Sequence, residues 1–184
     1  LEPDGYKPEI RSELVAEMKA AWQHGFDEVR ARFEASGDGR QCIAENSFLV
    51  DQMVRILFDM ATQFVYLAPN LSKAEKMSVI AVGGYGRSTL APFSDVDLLF
   101  LMPYKETPYI EQVVEFMLYM MWDMGLKVGH ATRSVGECIR LAKSDVTILT
   151  SLLDARWLWG DQELFAEFQA RFKSDLIERG GPAF

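Results

Sequence analysis

The run Val96-Asp97-Leu98-Leu99-Phe100-Leu101-Met102 constrains this chain more than any other stretch of it. It ends in five consecutive apolar residues, and a strand with no polar alternation must be covered on both faces, as in the middle of a sheet flanked by helices. The entrance to the run is different. Asp95 and Asp97 stand two residues apart, and side chains at i and i+2 of a strand share one face. At about 5 Å two carboxylates repel by roughly 3 kcal/mol at an effective dielectric of about 20. A pair like this at the mouth of an apolar strand calls for a cation. Hard oxygen donors suit Mg²⁺, which is usually shared with the phosphates of a substrate.

A second feature lies just upstream. Val79-Ile80-Ala81-Val82 is short, largely β-branched and followed by glycine, so it reads as a buried strand. It runs into Gly83-Gly84-Tyr85-Gly86-Arg87-Ser88, a glycine turn at the start of a short helical stretch. Glycines let backbone approach a ligand closely, and N–H groups at a helix start attract phosphate. Taken singly, Gly83-Gly84 reads equally as a tight turn, and Ser94-Asp95 as a local cap. In combination, with Ser94 following at a short interval, they point to a phosphate and metal site. The glycines do not make a dinucleotide fingerprint, because Thr89 stands where that pattern needs Gly or Ala. There is no Gly-Lys-Ser/Thr of a P-loop either.

The rest of the chain supplies helices. Ile10, Leu14, Met18, Trp22, Phe26, Val29 and Phe33 recur at three- and four-residue steps, which predicts a long amphipathic helix over about 9–35. Ser36-Gly37-Asp38-Gly39 breaks it, and a second helical pattern runs over about 41–67 through Leu49, Met53, Leu57, Ala61, Phe64 and Val65, stopped by Pro69-Asn70. The short connection predicts an antiparallel hairpin whose apolar stripes pack internally, the alternative being a protein-docking element. Thr107 and Pro108 cap and open a helix carrying Ile110, Val113, Val114, Met117, Leu118 and Met121. Strand patterns follow at 126–132 and 156–159, helical ones near 135–143, 145–154 and 161–173. The expected class is α+β, a small mixed sheet flanked by helices with an N-terminal helical hairpin. Its divisions are a helical extension over 1–75, the sheet domain over 76–176 and a truncated linker over 177–184.

Composition sets the exclusions. At 184 residues and 49% apolar content, one compact domain has ample core. A net charge of −8, with no basic stripe, argues against nucleic acid as a partner, while a small anion can still be held by a metal or by backbone amides. No run is long and apolar enough for a membrane span. Cys42 and Cys138 lack disulfide or metal spacing and read as buried thiols of a reducing cytoplasm. A start at Leu1 and a stop after Gly180-Gly181-Pro182-Ala183-Phe184 suggest a fragment of a longer protein.

Gly83-Gly84 followed by Ser94-Asp95-Val96-Asp97 resembles the nucleotidyltransferase superfamily of the DNA polymerase β type. The fuller string from Ala81 to Arg87, Leu90-Ala91-Pro92 and Ser94 to Leu101 is similar to the bifunctional uridylyltransferase/uridylyl-removing enzymes that modify the nitrogen-regulatory PII protein. So are Gly125 to Arg133, Leu152 to Arg156 and Gly160-Asp161, and the likeness runs over about 28–176. The resemblance implies a nucleotidyltransferase fold and transfer of UMP from UTP to a PII tyrosine, with loss of pyrophosphate. Asp95 and Asp97 would hold Mg²⁺, Gly83, Gly84 and Ser94 would cradle phosphates, and Arg87 reads equally as a phosphate contact or a surface ion pair. Its full-length members also carry a uridylyl-removing hydrolase and glutamine-sensing domains. With His24 and His130 alone, this chain is expected to hold neither and to show no uridylyl-removing activity.

Departures from the pattern matter as much. The superfamily usually supplies a third carboxylate from a later strand, yet 126–132 contains no acid. Asp154 is the remaining candidate, or else an ordinary partner of Arg156. His130 reads as facing the site or as a hydrogen-bonded core histidine, and Trp157 and Trp159 as packing. Ser88 replaces a frequent glycine, a change expected to be harmless. Rival readings are an adenylyltransferase of the same superfamily and a nucleotide-sensing module without catalysis.

Overall fold

The structure, a computed structural model, describes residues 8–68 and 72–178. The expected stop at Pro69-Asn70, the side chain of Ile10, the chain start and the segment beyond 178 lie outside the described residues. Two compact units share the chain, each drawn from separated segments. Among the described residues the first comprises 8–68, 88–96 and 112–129, the second 72–87, 97–111 and 130–178.

In the first unit, helix α1 (Pro8–Ser36) turns back into α2 (Gly39–Met60). Asp38 caps α2 by accepting from the amides of Arg40 and Gln41 at 3.0 and 3.1 Å. Arg32 reaches Glu45 at 2.9 Å near the turn, while farther away a Cβ on Gly25 would press on Leu49, at 2.7 Å. The partners advance in opposite directions, so the hairpin is antiparallel, as expected. Met18 and Val29 from α1 and Val50, Val54 and Leu57 from α2 are buried. Phe33 is 41% exposed and falls off the buried stripe. The second stripe also departs from expectation at its end. Ala61–Val65 forms a π-helical turn, whose wider step buries Ala61 and Val65 but leaves Phe64 75% exposed.

The second unit is built on a four-stranded sheet of order β3-β2-β1-β4. Its strands are β1 (Ser78–Ala81), β2 (Val96–Met102), β3 (Val128–Ser134) and β4 (Arg156–Gly160). β1 pairs antiparallel with β2, Val79 opposite Phe100 and Ala81 opposite Leu98, and antiparallel with β4. Burial follows position. β1 is buried throughout and β2 at every residue but Asp97, whereas the outer strands β3 and β4 are largely half-exposed. The apolar run is therefore central.

Between β1 and β2 lies the one-turn helix α3 (Gly83–Gly86), and α4 (Pro108–Asp123), which belongs to the first unit from Gln112 onward, follows β2, capped by Thr107, whose Oγ1 accepts from the Ile110 amide at 3.3 Å. The third strand begins two residues later than its sequence pattern. The Leu126 amide closes the end of α4 onto the Met121 carbonyl at 3.0 Å, so Leu126 belongs to that helix stop. Helices α5 (Val135–Ser144), α6 (Val146–Leu153) and α7 (Gln162–Phe172) complete the unit. Ile80, Leu99 and Leu101 of the sheet bury against Ile139, Leu152 and Phe168 of these helices. The class is α+β, a small sheet flanked by helices with an N-terminal helical hairpin. Cys42 and Cys138 are both buried and free, and burial pushes the Cys138 thiol from 9.0 up to about 12. Among the described residues no helix is long and apolar enough to cross a membrane.

Candidate active site

The glycine turn is shaped by three different demands. Gly83 sits at φ +58, a left-handed conformation that costs a residue with a Cβ roughly 1–2 kcal/mol, and a Cβ there would stand 3.4 Å from Asp97 Oδ2. The Asp97 carboxylate therefore lies against the backbone of the turn. At Gly86 a Cβ would fall 2.0 Å from the carbonyl oxygen of Asp154, a clash that only glycine avoids. At Gly84 it would meet nothing closer than Arg87 Nη2 at 3.7 Å, an ordinary contact. Backbone conformation therefore explains glycine at 83 and packing explains it at 86, while neither explains it at 84.

Arg87 and Asp154, 67 residues apart, meet in an ion pair of 2.6 Å whose side chains are 58% and 32% exposed. Asp154 thus pairs with Arg87 rather than through its near neighbour Arg156. Arg156 turns instead to the end of α3, where it donates to the Gly86 carbonyl at 3.2 Å and the Tyr85 carbonyl at 3.4 Å. Its guanidinium also lies over the Tyr85 ring, 5.4 Å from the centroid, and Tyr85 is 1% exposed. Arg156 thereby satisfies carbonyls that a one-turn helix leaves open. Gly86, Tyr85 and Arg156 are parts of this site that sequence reasoning missed. The third glycine of Gly83-Gly84-Tyr85-Gly86 was the available signal.

Ser94 and Asp95 belong to the first unit and are exposed, in the turn that leads into β2. Asp95 is exposed and just precedes β2, Val96 is buried, Asp97 half-exposed and Leu98 buried. The Ser94 amide donates to the Ala91 carbonyl at 3.1 Å and the Val96 amide to the Lys127 carbonyl at 2.8 Å. Among the described residues no group of three His, Cys, Asp or Glu side chains is placed to hold a metal ion.

The remaining candidates resolve individually. His130 is exposed on β3, so it is not a core histidine. Trp157 and Trp159 are half-buried and stack on each other at 5.8 Å, and Trp157 packs against the core, in keeping with a packing role. Ser88 is not a harmless replacement. It sits at φ +57, where glycine is favoured.

Comparison by sequence then shows what the chain is similar to. The chain is 50% identical over 180 residues, 98% of its length, to the bifunctional uridylyltransferase/uridylyl-removing enzyme of Azospirillum brasilense. It is 54% identical over 177 residues, 96% of its length, to the enzyme of the same name from Rhodospirillum rubrum. Over nearly its whole length the chain is thus similar to a segment of enzymes of this name. The chain spans 19% of the length of each of these curated relatives. No protein-family model matches it. Among solved structures it is similar to a toxin–antitoxin crystallised with AMP-PNP, at TM-score 0.37 and 14% identity, covering 71% of this chain and 92% of that one. It is also similar to a toxin–antitoxin MntA-HpeT mutant, at TM-score 0.33 and 14% identity, covering 57% of this chain and 82% of that one.

Proposed function

We propose that this segment is the transferase part of a protein uridylyltransferase, moving UMP from UTP to a tyrosine hydroxyl of the cytoplasmic PII signalling protein with release of pyrophosphate. In this reading residues 76–176 form the nucleotidyltransferase domain and 1–75 its helical extension. The observation that carries it is the Asp97 carboxylate lying against Gly83, which brings a hard oxygen donor to a glycine turn whose Gly84 no protein contact requires. Asp95 and Asp97 offer oxygen donors of the kind Mg²⁺ prefers, and with no group of three acids placed for a metal among the described residues the remaining ligands would be phosphate oxygens and water. When bound, the ion would neutralise the triphosphate and align attacking and leaving oxygens. Gly83 and Gly84 admit the phosphates to the backbone, and Ser94 donates its hydroxyl to them. Arg87, held by Asp154 at 2.6 Å through Nη1, offers its Nη2 beside Gly84 to a phosphate oxygen. Asp154 is then a positioning residue for Arg87.

Asn at both 95 and 97 in the full-length enzyme is expected to abolish transfer of radiolabelled UMP to PII while leaving the circular dichroism spectrum unchanged. Retained transfer sinks the assignment. Calorimetric titration with each triphosphate in Mg²⁺ decides the base, and a clear preference for ATP replaces the uridylyl reading with the adenylyl one. One observation favours a second reading, a nucleotide sensor without catalysis: among the described residues no third acid groups with the pair for a metal, and Asp154 is engaged by Arg87. That reading requires nucleotide binding with no turnover in the full-length enzyme.

A further inference from the structure

A cleft of about 430 Å³ opens within the first unit, and Asp95 is not among its lining residues although Ser94 and Val96 are. Its volume lies in the range of small-ligand sites. Three features of its wall ask for the same guest.

The first is an orphaned acceptor. Asn46 lines the cleft and is 3% exposed, and its Nδ2 is committed to the Leu90 carbonyl at 2.9 Å. That bond fixes the amide's orientation and leaves Oδ1 buried with no hydrogen-bond partner among the described residues. Folded proteins seldom leave such an atom unmatched, and the donor it lacks is an N–H or O–H.

The second is an aromatic wall. Trp22 and Phe26 lie 6.0 Å apart, and Phe26 meets Phe93 edge-on at 5.4 Å, all three lining the cleft. Phe93 is 81% exposed and sits at φ +67, a left-handed conformation rare for a residue with a bulky side chain. Strain and an exposed ring at one position are tolerated where the surroundings hold them for use.

The third is charge. Arg30 and Lys127 also line the cleft. Arg30 pairs with Glu34 at 2.7 Å, whereas the exposed Lys127 has no carboxylate partner among the described residues. Asp27, the acid of the lining, already accepts from Gln23 at 3.0 Å.

A purely apolar guest leaves Asn46 unmatched, and an inorganic anion leaves the rings unused. An α-amino acid brings an ammonium to a cleft whose one carboxylate is engaged. We propose that the cleft binds a nucleoside monophosphate as an effector. Its heterocycle lies along the three rings and donates a ring or exocyclic N–H to Asn46 Oδ1, and its phosphate meets Lys127. The Leu90 amide donates to the Ile43 carbonyl at 3.2 Å, so residues 88–96 are already tied to α2 at Leu90. A guest touching Phe93 and Ser94 tightens the same segment, which leads directly into Asp95.

The proposal is independent of the transfer reaction, so its test is run without divalent cation. UMP, AMP and the two parent nucleosides are titrated by calorimetry into the full chain in EDTA, alongside Asn46→Leu, Lys127→Ala and Asp97→Asn. One molecule of at least one nucleotide binds, with affinity unchanged in Asp97→Asn. Lys127→Ala, a surface change that cannot unfold the protein, weakens the nucleotide by about tenfold, the scale of one charge-assisted hydrogen bond, and leaves the nucleoside unaffected. Asn46→Leu weakens both. The proposal is overturned by absence of binding, or by binding that Asp97→Asn abolishes and Lys127→Ala leaves unchanged.

Discussion

Gly84 separates a structural from a functional glycine by measurement. A methyl group at 84 meets only ordinary contact, so Gly84→Ala is expected to leave stability unchanged or to raise it by about 0.5–1 kcal/mol through reduced chain entropy. If the turn receives phosphate, the same variant loses nucleotide affinity. Urea denaturation and calorimetry on one sample read both quantities, and unaltered affinity removes Gly84 from the site. Gly86→Ala behaves oppositely. Its methyl would fall 2.0 Å from the Asp154 carbonyl oxygen, and relieving that clash is expected to cost at least about 2 kcal/mol in unfolding free energy. Ser88→Gly, at φ +57, is expected to stabilise by about 1 kcal/mol. These three glycine-related positions show where sequence reading stops. The motif located the turn, but which position answers to backbone, which to packing and which to neither is decided by local dihedrals and, at Gly86, by Asp154 far along the chain. The pairing of Arg87 with Asp154 was hidden for the same reason, since Arg156 stood closer in sequence.

The regular elements were legible because each repeats its signal over many residues. Periodicity located α1, α2 and α4, and the apolar run located β2 at the centre of the sheet. What failed was confined to ends, where one hydrogen bond decides. Leu126 read as strand until its amide was found closing α4. Helix α5 illustrates how strong such an end can be. The Ser134 amide donates to Glu137 Oε2 at 2.8 Å, the Ser134 hydroxyl to the same oxygen at 2.8 Å, and the Glu137 amide returns to Ser134 Oγ at 3.2 Å. The backbone bond from Ser134, then that from its side chain, hold the Glu137 carboxyl below its usual 4.5. A carboxyl held low in the folded state stabilises above its unfolded value, and that stabilisation is lost as the pH falls through the folded one. Glu137→Gln is therefore expected to flatten the loss of stability on acidification below about pH 4.5. Ser134→Ala is expected to cost about 1 kcal/mol at neutral pH. Thermal melts across the acid range check both.

For the whole molecule the dominant quantity is a net charge of −8. It was plain in the sequence, and it sets a background against which any triphosphate must approach. Long-range repulsion is screened as the Debye length shrinks from about 30 Å at 0.01 M salt to about 8 Å at 0.15 M. The association rate constant for UTP, by stopped flow, is expected to rise over that interval, the reverse of a nucleic-acid-binding surface. A fall would mean that the local field at the site is positive enough to outweigh the rest of the chain. The π-helical turn at Ala61–Val65 carries a consequence of another kind. A helix that absorbs one surplus residue this way records a tolerated insertion, and removing a single residue there restores unbroken α geometry. Because the wider turn takes up the surplus residue, such a deletion leaves the residues on either side of it facing as they do now. Relatives one residue shorter at this place would therefore lack the exposed position that Phe64 fills here.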